Sequence, residues 1–223
     1  MIIKVALSAV IAIFSSMAFA DTQTFTIIDK NGQPVSNAVV LVDKSLLTKV
    51  NVPQGNVVID QIDKQFVPKV SSIEQGTTVV FPNSDNIRHH VYSFSAAKPF
   101  ELKLYSDKER PKVTFDQSGI VTLGCNIHDG MIGYVVVNND VQGFVTNQSG
   151  TVSIDIDNAA SEQVETITLR VWHPWMSDNL GAAQTIELST PIKAGDITLD
   201  VAPPEPEKKE KSRLEKRFNR LGA

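Results

Sequence analysis

The sequence contains little sulfur and few aromatic residues. Its 223 residues include a single cysteine, Cys125, and only 7% of them are aromatic. One cysteine excludes a disulfide framework within the chain, so the lone thiol is inert, reactive or bound to a metal. The hydrophobic share of 42% is too high for a wholly disordered chain, and it suffices for one large or two small globular domains.

The sequence also lacks an excess of positive charge. It has 21 Lys and Arg residues against 25 Asp and Glu residues, which gives a formal net charge of −4. Nucleic-acid binding depends on clustered Lys and Arg side chains that neutralise phosphates. This charge balance therefore argues against a nucleic-acid partner.

Long hydrophobic runs are missing except near the start of the chain. Residues 1–20 combine one early lysine, a short apolar run and Ala18-Phe19-Ala20, which is the pattern of a secretory signal peptide cleaved after Ala20. The run from Val5 to Phe14 is shorter than the roughly 20 residues that cross a membrane. The sequence thus predicts an exported, periplasmic protein with no integral membrane span after cleavage.

No long amphipathic helix is predicted between the signal peptide and the C-terminal tail. Short stretches rich in Val, Ile, Thr and Phe alternate with turn residues, which is typical of an all-β sandwich. The predicted strands are 24–28, 38–42, 77–81, 91–94, 112–115, 120–123, 132–137, 143–146, 152–156, 166–171 and 185–188. Segment 43–75 is less regular and predicts a loop or one short helix.

Turn residues at Asn138-Asn139-Asp140 predict a boundary between two β units. The first unit covers 21–140, and a small β-sandwich covers 141–202. With about sixty residues, the second unit is near the lower limit for an independent core. A charged tail, 203–223, follows. Its apolar residues allow a short amphipathic helix. The tail is expected either to be solvated or, as such a helix, to dock weakly on an anionic membrane surface or an acidic partner.

Residues that bind soft metals are concentrated in two short segments. Cys125, His128 and Met131 lie in one loop-like stretch, and His89 and His90 lie at the start of a predicted strand upstream. A thiolate, two imidazoles and a weak axial thioether form a blue-copper site. Zinc also accepts Cys and His, but a thioether is a poor zinc ligand. The order Cys-x2-His-x2-Met therefore favours copper.

These motifs resemble the cupredoxins, the family of plastocyanin, amicyanin and pseudoazurin, and in particular the exported plastocyanin-like proteins often labelled methylamine utilization proteins. Asn83 stands six residues before His89, and Val91 follows two residues after it, as in the family. The resemblance covers residues 21–138 and implies a Greek-key β-sandwich that holds one type 1 (blue) copper ion. The ligands that it implies are His89, Cys125, His128 and Met131. The second unit resembles transthyretin-like or carboxypeptidase regulatory-like β modules.

Two positions beside the expected ligands depart from the family pattern. Successive strand residues point to opposite faces, so only one of His89 and His90 can reach the metal, and the spacing from Asn83 selects His89. The family usually has Asn at position 90, where it ties the two ligand loops, and Ser or Thr at position 126. We expect exchanged roles, in which the His90 ring bonds the Asn126 side chain. Asn83, His90 and Asn126 are the predicted supporting residues.

The resemblance implies a one-electron carrier between periplasmic redox partners. We expect no enzymatic activity, because no open metal position and no other acid–base pair is evident. In the family, the edge of the loop histidine reaches the surface through an apolar patch. The residues expected to form that docking patch here are Pro82, Ile127, Met131 and Ile132. An acidic body would steer a basic redox partner such as a c-type cytochrome.

Two other functions are compatible with the same residues. The chain could hold or deliver copper in the periplasm without redox turnover, although carriers of that kind often use Met-rich or paired-Cys sites. It could also be an interaction module in which the metal is incidental. His173, which lies between Trp172 and Trp175, is expected to serve a core or a domain junction and not a metal.

Overall fold

The structure is a computed structural model that describes residues 20–51, 55–106, 108–161 and 163–204. The predicted signal peptide up to residue 19 and the tail from residue 205 lie outside the described residues. Within the described ranges, no helix has the length and apolar character needed to cross a membrane.

Strands dominate the described residues, and only short helical segments interrupt them. The strands are β1 (Ala20–Ile28), β2 (Val39–Asp43), β3 (Val57–Val58), β4 (Asp60–Ile62), β5 (Gln65–Val67), β6 (Val70–Glu74), β7 (Thr78–Val80), β8 (His89–Ser93), β9 (Phe100–Tyr105), β10 (Lys112–Thr114), β11 (Gly119–Cys125), β12 (Ile132–Asn138), β13 (Val141–Val145), β14 (Thr151–Asp157), β15 (Thr166–Trp172), β16 (Gln184–Ser189) and β17 (Gly195–Thr198). The helical segments are α1 (Asn158–Ser161) and the 3₁₀ turns Lys44–Leu46 and Leu180–Ala182. The all-β prediction is confirmed.

Residues 57–138 form a β-sandwich that we call the central sandwich. Its larger sheet has the strand order β6-β12-β11-β8-β9, and its smaller sheet has the order β10-β7-β3. Alternate residues of β11 point into the core, so Val121, Leu123 and Cys125 are buried together. The core of the central sandwich therefore extends to the thiol at the end of β11.

A second sandwich, which we call the terminal sandwich, contains residues 20–47 and 141–201. Its sheets have the orders β14-β1-β17 and β13-β2-β15-β16. β1 pairs antiparallel with β14 and parallel with β17, and β2 lies between β13 and β15. The two sheets enclose their own apolar core.

The strand pairing divides the chain differently from the predicted boundaries. Residues 21–47, assigned from the sequence to the first unit (21–140), pair with strands of the second unit (141–202). The physical reason is size, because the later segment alone has too few residues to enclose a core. Phe25 and Ile27 from β1 and Val40 from β2 complete it. The central sandwich is thus an insertion between two parts of the terminal sandwich.

A small apolar contact joins the two sandwiches. It is formed on one side by the outer face of the larger central sheet and on the other by β2 and β15. The fully or largely buried residues of this contact are Val39, Leu41, Val70, Ile120, Val136 and Trp172. His173 follows directly and is buried, with Nε2 3.1 Å from the Ser36 carbonyl oxygen and Nδ1 accepting from the Trp175 amide at 3.2 Å. Both ring nitrogens therefore have protein partners within the terminal sandwich.

Candidate metal centre

Three metal-ligating side chains meet at one end of the central sandwich. β8 begins at His89, and β11 ends at Cys125. The two strands are antiparallel neighbours in which Val91 lies opposite Cys125, so the start of β8 and the end of β11 share an edge of the sheet. His89 and Cys125 both point inward, and His128 comes from the loop that follows β11.

The distances between the donor atoms are short. The Cys125 Sγ atom lies 3.6 Å from His89 Nδ1 and 3.5 Å from His128 Nδ1. All three donor atoms lie within 4.8 Å of one another, and the two imidazole rings are 4.8 Å apart between centroids. His89 is fully buried, Cys125 is 8% exposed, and His128 is partly exposed.

This cluster fits one metal ion. When sulfur and nitrogen bind the same ion at about 2.3 and 2.0 Å, with angles between tetrahedral and trigonal, they lie about 3.5–3.7 Å apart. The two observed sulfur–nitrogen distances match that separation. A thiolate and two imidazoles also form a donor set that transition metals prefer.

Met131 closes the loop that carries His128. The Cys125 amide donates to the Met131 carbonyl oxygen at 3.2 Å, and the Met131 amide donates to the His128 carbonyl oxygen at the same distance. Gly130 has a φ of +78°, which a residue with a side chain rarely adopts. The turn brings Met131 back into the core cluster that contains Cys125, where Met131 is 2% exposed.

His89, and not His90, lies beside the thiol. His90 points to the opposite face of β8, where its Nε2 lies 2.8 Å from Glu101 Oε1 on β9. The expected bond between the His90 ring and the Asn126 side chain is not formed, because the ring turns to Glu101 and its Nδ1 has no partner among the described residues. The two positions are linked through the main chain instead, where the Asn126 amide donates to the His90 carbonyl oxygen at 3.3 Å.

Asn83 shapes the loop that precedes His89. It is 2% exposed, and its Nδ2 donates to the carbonyl oxygens of Ile87, at 2.8 Å, and Tyr105, at 3.1 Å. Its Oδ1 accepts from the Asp85 amide at 3.0 Å. The predicted supporting role of Asn83 thus acts through the backbone of this loop.

Asp85 contacts His89 directly, and sequence reasoning missed it. Its Oδ2 lies 2.7 Å from His89 Nε2. Burial raises the pKa of Asp85, but hydrogen bonds from the Lys64 amide, the His89 ring and the Asp63 amide outweigh burial and lower the pKa below its ordinary value. An ionised Asp85 assigns the proton to Nε2, which leaves the Nδ1 lone pair facing Cys125. The signal that could have revealed this pair is the spacing of four residues between Asp85 and His89.

The expected docking patch is only partly exposed. Ile127 is 47% exposed and Ile132 is 43% exposed, and both lie next to the loop of His128. Pro82 and Met131 are buried, so they cannot contact a docked protein and this part of the prediction is wrong. The Pro82 carbonyl oxygen accepts a bond from buried Gln61 at 2.9 Å, which explains its position. Ile87, which was not predicted, is 40% exposed on the loop before His89.

Comparisons with known proteins give structural but not sequence relatives. No protein-family model matches the chain, and no curated protein matches it. The chain is similar to a Cu-containing nitrite reductase (NirK) from Thermus scotoductus SA-01, with 26% identity and a TM-score of 0.37. That match covers 44% of this chain, and this chain spans only 27% of the reductase.

Two smaller proteins are also similar. A mutant of amicyanin in its reduced Cu(I) form is 24% identical, with a TM-score of 0.35, and the match covers 40% of this chain and 87% of amicyanin. A purple cupredoxin from Nitrosopumilus maritimus is 22% identical, with a TM-score of 0.34, and the match covers 38% of this chain and all of that protein. These proteins are of the class that the sequence motifs resemble. Each of these TM-scores is below 0.5.

Proposed function

We propose that this protein binds one copper ion in a type 1 site and acts as an exported one-electron carrier. The observation that carries the proposal is the compact cluster of the Cys125 thiol with the Nδ1 atoms of His89 and His128. Met131 is buried in the same apolar cluster as Cys125, and we propose its thioether as the weak fourth ligand of a blue-copper site. A bound copper ion would supply the one-electron exchange between Cu(I) and Cu(II).

The residues of this chain would prepare the site for that exchange. Cys125 must lose its proton to bind a metal, and neutral imidazoles supply the two nitrogens. Asp85 holds the His89 ring in the tautomer that presents Nδ1 to the thiol. The buried surroundings of His89, Cys125 and Met131 exclude water, which favours a site that rearranges little when its charge changes.

The same geometry supports His128 as the point of electron entry or exit. It is the partly exposed member of the cluster, and exposed Ile127 precedes it in the chain. An exposed apolar side chain beside His128 suits brief contact with another redox protein. The net charge of −4 favours a basic partner, such as a c-type cytochrome, through long-range steering that salt weakens. We also propose that the protein is not an enzyme and that it is located in the periplasm.

The first experiment is an absorption spectrum, with metal analysis, of the oxidised, copper-loaded protein. An intense visible charge-transfer band from thiolate to Cu(II), at one copper per chain and with reversible reduction, would support the carrier. A colourless Cu(I) form that cannot be oxidised reversibly would contradict it and favour copper holding or delivery. Tight binding of zinc in place of copper would contradict the metal assignment.

The docking face is tested by charge substitutions. Ile127→Lys should lower the rate of electron exchange with a basic c-type cytochrome, because it adds a repulsive charge beside His128. The matched control is Val164→Lys, since Val164 is 44% exposed on the terminal sandwich. Equal slowing by both variants would show that net charge, and not the face around Ile127, controls the encounter.

A further inference from the structure

A β-hairpin that belongs to neither sheet of the central sandwich contacts the segments that carry the candidate metal ligands. β4 and β5 pair only with each other among the described strands. Their turn, Asp63-Lys64, has φ values of +52° and +60°. Two consecutive residues with positive φ are the mark of a type I′ turn.

Those two amides bind the carboxylate that holds His89. The Asp63 amide donates to Asp85 Oδ1 at 2.7 Å, and the Lys64 amide donates to Asp85 Oδ2 at 3.0 Å. The same Oδ2 atom lies 2.7 Å from His89 Nε2. Both carboxylate oxygens of Asp85 are therefore fixed by the turn, and the imidazole meets a carboxylate whose orientation is already set.

The first strand of the hairpin is also bonded to the loop before His89. Buried Gln61 donates through Nε2 to the Pro82 carbonyl oxygen at 2.9 Å and also contacts the Tyr105 hydroxyl. The main-chain carbonyl oxygen of Gln61 accepts from the Ser84 amide at 3.1 Å. Asp60 Oδ2 accepts from the Ser84 hydroxyl at 2.7 Å. The hairpin thus holds the loop at several points besides Asp85.

The second strand packs against the other ligand segment. Phe66 is 1% exposed and lies so close to Gly133 that a Cβ atom on Gly133 would be 2.9 Å from the Phe66 Cβ. Gly133 follows Met131 by two residues. One hairpin therefore contacts the segment that ends at His89 and the segment that starts at Met131.

We propose that the β4–β5 hairpin is a positioning element of the metal centre, and that the turn amides of Asp63 and Lys64 orient His89 through Asp85. This inference rests on the proposed function, because it assigns the hairpin a role in the same site. Partners that orient a ligating histidine typically change metal affinity by about 10- to 100-fold when they are removed. A carboxylate free to rotate would no longer hold the ring in one position.

The test compares two turn variants in the full-length protein. Lys64→Pro removes one of the two amides and is incompatible with a φ of +60°, so it should weaken copper binding by about 10-fold, the lower end of the expected range. The double variant Asp63→Asn, Lys64→Gly keeps both amides in a sequence that favours the same turn, so it should retain the affinity. Copper binding is measured by competition with a chelator of known affinity.

A double-mutant cycle with Asp85→Asn separates positioning from general loosening of the fold. If the turn acts through Asp85, Lys64→Pro should cost little further affinity once Asp85 has been replaced. Asn37→Ala, at another residue with positive φ in the terminal sandwich, is the control for lowered stability without changed affinity. Equal losses from Lys64→Pro with and without Asp85 would overturn the proposal.

A measurement on the unaltered, metal-free protein is independent of these variants and of copper. The Asp63 and Lys64 amides lie in an exposed turn, yet their bonds to Asp85 should slow their hydrogen exchange, and the ¹⁵N NMR signals of the His89 ring should report a proton on Nε2. Free exchange of both amides, or a ring without a fixed tautomer, would overturn the proposal. Failure to bind copper would instead contradict the proposed function and leave this result to decide the role of the hairpin.

Discussion

The replacement Asp85→Asn is the most direct perturbation of the candidate site. The carboxylate accepts three hydrogen bonds, from the Asp63 amide, the Lys64 amide and the His89 ring. Asparagine offers one carbonyl oxygen and one amino group in the same volume. Its amino group must then face either the Asp63 amide or both the Lys64 amide and the His89 ring, so at least one donor meets another donor. If the amino group faces Nε2, the ring is favoured in the tautomer that carries its proton on Nδ1, the atom that faces the thiol.

The size of the effect follows from the bond that is lost. A hydrogen bond to a charged group contributes about 1.5–3 kcal/mol, and this free energy would be needed to restore the metal-binding tautomer. Because each 1.4 kcal/mol changes a binding constant about tenfold, copper affinity should fall by about 10- to 100-fold. The loss expected on removing a partner of a ligating histidine covers the same range.

The assay is competition for copper against a chelator, with the melting temperature of the metal-free variant measured beside it. Asp196→Asn, an exposed position on β17 in the terminal sandwich, is the control for the change of net charge and should leave the affinity unaltered. A copper affinity for Asp85→Asn within twofold of the unaltered protein would refute the reasoning, since the carboxylate would then have no hold on the ligand.

Three further predictions address the thiol, the packing and the pH dependence. Cys125→Ser should abolish the visible charge-transfer band and release most of the copper, and retention of both would exclude Cys125 as a ligand. Gly133→Ala should lower the stability measured by chemical denaturation by about 1–3 kcal/mol, because its Cβ would be 2.9 Å from Phe66, whereas Gly195→Ala, where nothing lies within 4 Å, should not. Burial, more than any charge nearby, lowers the pKa of His173 to about 4 from 6.5, so the folded protein should lose up to about 3 kcal/mol of stability as the pH falls from 6.5 to 4. A His173→Gln variant should lack that share of the pH dependence, and an unchanged profile would contradict it.

The sequence predicted the ligand segments well because their information is local. Alternation along a strand allows only one of His89 and His90 to face the thiol, and the family spacing from Asn83 selects His89. The structure has His89 inside and His90 on the opposite face. The spacing from Cys125 to His128 fits a single tight turn. In both cases, the constraint lies within a few neighbouring residues.

Long-range pairing could not be predicted in the same way. β1 was recognised as a strand from its composition, but alternation does not identify which strand it pairs with, and its partners are β14 and β17. The β4–β5 hairpin was missed in segment 43–75 because its turn is Asp-Lys and not one of the pairs, such as Asn-Gly, that signal a type I′ turn. Asp85 was missed for a related reason, since its role depends on amides supplied by that hairpin.

The two histidines of the cluster are held differently, and this difference has a consequence for function. His89 is fully buried and is fixed on its far side by Asp85, which the hairpin turn fixes in turn. His128 is partly exposed on a short loop closed by backbone bonds between Cys125 and Met131. In the proposed electron carrier, the buried histidine would keep the geometry of the site and the exposed one would exchange electrons. Rigidity and access would therefore belong to different histidines, so a protein docked at the loop of His128 would not displace His89.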